Sequence, residues 1–161
     1  MATNFLQAAG SHGFIVTPVT VMTTELNTLA NNTNAISSVG GTSGVFTQTN
    51  FGNAIWAEIE FIAGGAMSGS PAAGGYLAGW WLFSEAGATF EKVLAGSDLP
   101  RSPDFTLPLL ATAYAASDIT KASGLCRLPA YDAKLYIANH SGVSLNASGN
   151  IIKVGPVATQ Y

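Results

Sequence analysis

At 161 residues the chain fits one domain built on one core. Hydrophobic residues make up 48% of it and charged residues only 9%, against about 25% in an average soluble domain. Six Lys and Arg with a net charge of −3 do not make a phosphate-binding surface, so nucleic acid is not an expected partner. A membrane is not expected either, because no window reaches the roughly 18–20 uninterrupted apolar residues of a spanning helix. The few charges are unevenly spread: Glu25 is the only one in the first 57 residues, and residues 61–84 carry none. A domain so short of charge stays soluble through Ser, Thr, Asn and Gly, or is covered by other chains. Residues 1–5 lack the basic start of a secretory leader, so none is expected.

Along the chain, β-branched and aromatic residues alternate in short runs between clusters of Gly, Ser, Asn and Pro, which predicts strands. The first lies over residues 18–26, followed by an irregular Asn/Thr/Ser-rich stretch at 27–41 and a strand at 44–48. The clearest strand is 54–63, with Ile55, Ala57, Ile59 and Phe61 on one face and Trp56, Glu58 and Glu60 on the other. Residues 64–75 are a loop of tiny side chains, either a plain connection or a segment that binds or moves. Residues 76–84 are apolar on both faces, Leu77, Trp81 and Phe83 on one and Trp80 and Leu82 on the other, so this strand is central or covered by a neighbouring subunit. Pro100 and Pro103 rule out a central strand in 94–103. Strands are expected again at 104–111, 134–139 and 151–157, and one helical turn at 117–122 capped by Ser117 or Asp118. Seven or eight strands with long Gly/Ser/Asn-rich loops make an all-β protein, an antiparallel β-sandwich formed as a single domain over residues 1–161.

Signs of chemistry are sparse. His12 and His140 stand in no metal-ligand spacing, no Gly-x-Ser-x-Gly elbow is present, and no Gly-rich phosphate loop carries its lysine. Glu58 and Glu60 project side by side from one strand rather than across a cleft, which suits a solvated face better than an acid/base pair. Cys126, the only cysteine, reads as a buried inert thiol. Three Asn-x-Ser/Thr triplets, at Asn31, Asn139 and Asn146, are chance matches when no leader is expected. Among the tryptophans Trp81 is expected in the core, while Trp80 serves either core or interface, so a charge at Trp80 is expected to disrupt assembly and one at Trp81 folding.

The segments Gly52-Asn53-Ala54-Ile55-Trp56-Ala57-Glu58-Ile59-Glu60, Gly79-Trp80-Trp81-Leu82-Phe83, Leu99-Pro100-Arg101-Ser102-Pro103-Asp104-Phe105 and residues 151–161 resemble the small cement or decoration proteins of tailed double-stranded DNA bacteriophages, in particular the jelly-roll cement proteins of short-tailed phages. The resemblance implies a jelly-roll-like sandwich without catalytic residues or cofactor. Its place would be the outer capsid surface of a virion assembled in the host cytoplasm, bound to the major capsid protein and bridging neighbouring subunits. It implies self-association, a homodimer ahead of a homotrimer, and an extended N-terminal arm over residues 1–17 within a polar stretch reaching Gly41. The interface candidates are Phe5, Phe14, Tyr76, Trp80 and Leu82. Low charge suits such a role, since many copies on a lattice gain avidity from modest neutral contacts. Two other readings compete: a tail or fibre protein that binds host glycans through Trp80 or Tyr76, and a small hydrolase that brings His12 or His140 to a carboxylate and a hydroxyl.

Overall fold

Alternation of apolar and polar side chains gives each sheet an inner face, and two such faces close on one another. The computed structural model describes residues 18–38, 44–52, 54–84, 89–93, 96 and 98–157. These residues form nine strands in two antiparallel sheets, a β-sandwich. In chain order the strands are β1 (Val19–Met22), β2 (Asn34–Ile36), β3 (Trp56–Ile62), β4 (Tyr76–Phe83), β5 (Phe105–Pro108), β6 (Ile119–Lys121), β7 (Cys126–Arg127), β8 (Ala133–His140) and β9 (Ile151–Val157). One sheet has the order β1-β9-β3-β6, with β7 also on β3, and the other the order β2-β8-β4-β5.

β3 shows the expected alternation: Ala57, Ile59 and Phe61 are fully buried, while Glu58 reaches Lys121 Nζ at 3.0 Å on the wet side. From the facing sheet Leu77, Trp81, Leu135 and Ile137 enter the same core. Phe51 meets Trp81 edge-on at 5.8 Å and stacks on Phe46 at 5.8 Å, a favoured pair of aromatic geometries. β4 is central, between β8 and β5, and its outer face is also covered. Trp80, Leu82, Tyr136, Ala138 and Leu99 form a second cluster, with Phe90 and Val93 packed against it. Of the two explanations for a strand apolar on both faces, the chain's own residues supply the cover.

The 64–75 segment does not close a hairpin. It carries the chain from β3 in one sheet to β4 in the other, and it is packed and bonded. Ala72 N–H donates to Ser141 O at 2.7 Å, and Ser68 and Ser144 exchange hydrogen bonds of 3.0 and 2.9 Å. At Gly64 a Cβ would lie 1.9 Å from Ser148 O, so only glycine allows this backbone approach. Two buried asparagines join the same loops: Asn139 Nδ2 donates to Leu29 O and Val143 O, and Asn150 Nδ2 donates to Asn146 O. The triplets at Asn139 and Asn146 thus belong to loop architecture.

Several expected elements are corrected. The strand at 18–26 ends at Met22, because Glu25 accepts the Thr23 N–H and turns the chain into a 3-10 turn at Thr24–Leu26. At 44–48 only the Phe46–Ala133 bridge forms; Asn50 Oδ1 accepts Thr47 N–H and bends the chain into a second 3-10 turn, Gln48–Phe51. The expected helical turn at 117–122 is instead β6, paired with β3, while Asp118 Oδ2 accepts Ala115 N–H and Ser117 takes a left-handed backbone at φ 71°. β2 lies inside the stretch read as irregular, and the 104–111 strand narrows to Phe105–Pro108. The proposed arm at 1–17 lies outside the described residues.

Candidate functional site

Of the five interface candidates, Phe5 and Phe14 lie outside the described residues. Trp80 and Leu82 are corrected: at 2% and 1% exposure they lie under the chain's own Phe90, Val93 and Leu99 and offer nothing to a partner. Trp80 Nε1 is spent as well, donating to Arg101 O at 3.0 Å. Tyr76 alone remains at the surface, 36% exposed.

Arg101 latches the covering segment to the sheet. Its Nη2 donates to Trp81 O at 2.7 Å, its Nη1 reaches both Asp104 carboxylate oxygens at 3.1 and 3.2 Å, and its guanidinium stands over the Phe83 ring. Asp104 Oδ2 in turn accepts the Trp81 backbone N–H at 2.7 Å. Partial burial pulls the Arg101 pKa down, but hydrogen bonds and charge from Glu91 and Asp104 outweigh it, and the pKa rises. Arg–carboxylate forks of this kind fix geometry as well as adding energy.

The sandwich has two ends. β3 starts at Trp56 and runs to Ile62; β4 starts at Tyr76, where the crossing loop delivers it, and returns to Phe83. At the Trp56 end an open cleft of about 700 Å3 lies between the sheets, lined by Trp81, Phe83, Arg127, Leu128, Pro129 and Tyr131 among others. Phe83 and Tyr131 are 39% and 71% exposed, and Trp56, which pairs with Arg127, is 40% exposed. Trp81 Nε1 is buried with no hydrogen-bond partner, the only such side-chain atom among the described residues. Ligand sites are commonly apolar clefts of about this size with a few polar groups. Trp81 and Phe83 stand out in the sequence as strand aromatics, whereas Arg127 and Tyr131 do not, because the cleft brings together β4, β7 and the turn after β7.

At the Tyr76 end the ring of Tyr76 packs 5.1 Å from that of His140, whose Nε2 lies 2.9 Å from Asp98 Oδ1. With Asn32, Thr33 and Asn34 these two side chains line a polar hollow of about 340 Å3. Neither His140 nor Asp98 has a hydroxyl hydrogen-bonded to it among the described residues, and His12 lies outside them. Glu58 is engaged with Lys121, and no cluster of three or more metal-ligating side chains occurs among the described residues.

No protein-family model matches the chain, and no curated protein or solved structure matches it at a significant level.

Proposed function

We propose that the chain is a structural virion protein that decorates the outer surface of a tailed-phage head, binding the major capsid protein and bridging its neighbouring subunits. The observation that carries this reading is an open cleft at one end of a charge-poor sandwich, walled in part by the exposed, neutral rings of Phe83 and Tyr131. Exposed aromatics grouped in one place mark contact surfaces between protein chains. The segments that resemble phage cement proteins add to it, and one of them carries Trp81 and Phe83 of β4 into the cleft lining. Self-association into a homodimer, ahead of a homotrimer, belongs to the same reading, as does a jelly-roll course of the strands. Mixing purified protein with undecorated capsids tests it. Saturable binding and a rise in the temperature at which heads release their DNA are expected, and the absence of both would remove the proposal.

A second reading, a glycan-binding virion protein, draws on the Tyr76 end. An exposed ring beside Asp98, His140 and asparagine side chains offers both a stacking face and hydrogen bonds to a sugar. Trp80 no longer contributes to it. Binding of the isolated protein to a glycan array, lost in Tyr76→Ala, would favour this reading over capsid decoration.

A further inference from the structure

We infer that the cleft at the Trp56 end binds an extended, proline-containing segment of another protein chain, with the Trp81 indole N–H donating to one of its backbone carbonyls. The inference rests on the reading of the chain as a binder of other chains, and it names the kind of segment that one of those contacts takes.

Trp81 supplies the first observation. Its Nε1 is buried without a partner, and the residue forms part of the cleft wall. Native proteins rarely leave such a donor unpaired, and at 1% exposure Trp81 is shielded from bulk water in the free chain. The missing acceptor is one that a ligand carries in, with side-chain adjustment of the size interfaces routinely make.

The lining selects the class of ligand. Aromatic-walled grooves take polyproline II segments, whose rings pack on ring faces. That backbone has no internal hydrogen bonds, so its carbonyls are free to accept. Trp81, Phe83, Pro129 and Tyr131 provide the walls and Trp81 the donor. Addition of a β-strand would instead need a long run of open main-chain groups at the cleft; of the strands that border it, β7 has two residues, Cys126–Arg127, and in β4 the Trp81 N–H and C=O are taken by Asp104 and Arg101. Arg127 is exposed and forms no ion pair among the described residues, so an acidic residue flanking the proline run complements it.

The test is a titration of the 15N-labelled full chain with the peptide acetyl-Glu-Pro-Pro-Leu-Pro-Pro-amide. The reporter is the Trp81 indole cross-peak, recognised by its Overhauser contacts to the Phe51 ring. Progressive, saturating movement of that peak is expected, with no movement when each proline is replaced by glycine. Tyr131→Ala removes an exposed wall that is not part of the core, so it should fold normally and weaken binding by about tenfold or more. A Trp81 peak that stays fixed at millimolar peptide, or that responds equally to the glycine peptide, overturns the inference. The two readings fail separately. Peptide binding without capsid binding keeps this inference and removes decoration, while capsid binding with an unmoved Trp81 peak does the reverse.

Discussion

Trp80 and Trp81 are adjacent and point to opposite faces of β4, yet each is enclosed by the chain itself, Trp81 by the inner core and Trp80 by the covering segment. The expected division of labour between them, assembly for one and folding for the other, therefore gives way to a shared structural role. Trp80→Ala should cost about 3–5 kcal/mol of folding stability, as large-to-small changes at buried aromatics do. Urea unfolding of the isolated protein would show it, and a loss below about 1 kcal/mol would mean that the cover is only loosely applied. Cys126 is predicted with equal specificity. Burial, helped by the negative charge of Asp104, pushes its thiol up from 9.0 to about 11. The folded state thus favours the protonated thiol, so this contribution to stability is complete below pH 9 and lost as pH rises from about 9 to about 11. At pH 8 the native thiol should react with a disulfide reagent far more slowly than in urea, where the cysteine is solvated.

At the scale of elements, long apolar alternation was readable and short edges were not. β9 falls on its expected residues and β8 within one of them, and β3 and β4 follow their alternation, because each buries at least one full face. β2, β6 and β7 have two or three residues each, mostly polar or exposed, and exist because a partner strand lies beside them; no local pattern announces such a strand. Ser37 shows how a partner does it. Its backbone N–H donates to Leu135 O and its hydroxyl accepts from Leu135 N–H, so a side chain continues the ladder past the end of β2. The cleft was illegible for the same reason, since Tyr131 and Phe83 come to line one cleft only through the fold. Within β4, Gly79 could be read only as a break in an apolar run, whereas its place is under the Phe105 ring, 2.1 Å from where a Cβ would sit. Gly79→Ala should displace that ring and destabilise the protein by about 1–3 kcal/mol, measurable by thermal unfolding. An unchanged melting temperature would show that Phe105 has another rotamer to occupy.

For the whole molecule, scarcity of charge has two separate outcomes. Across residues 77–82 it reflects burial, because β4 is covered on both sides, whereas the crossing loop of 64–75 is hydrogen-bonded down with most of its small neutral residues exposed. Around the Trp56 end it leaves neutral aromatic surface, and there the proposed contacts fall. The position of β9 has a consequence in time. It lies between β1 and β3, and Val19 meets Val154 across almost the full described chain. A ribosome makes β1 and β3 long before the strand that joins them. Until residues 151–157 emerge, one edge of β3 and the apolar face of its sheet stand open to any neighbouring nascent chain. Closure is therefore a late event that depends on distant pairing, the topology associated with slow folding and with exposure to aggregation on the way. In the proposed role, which calls for many copies, yield would then be limited less by stability than by how crowded the unfinished chains become.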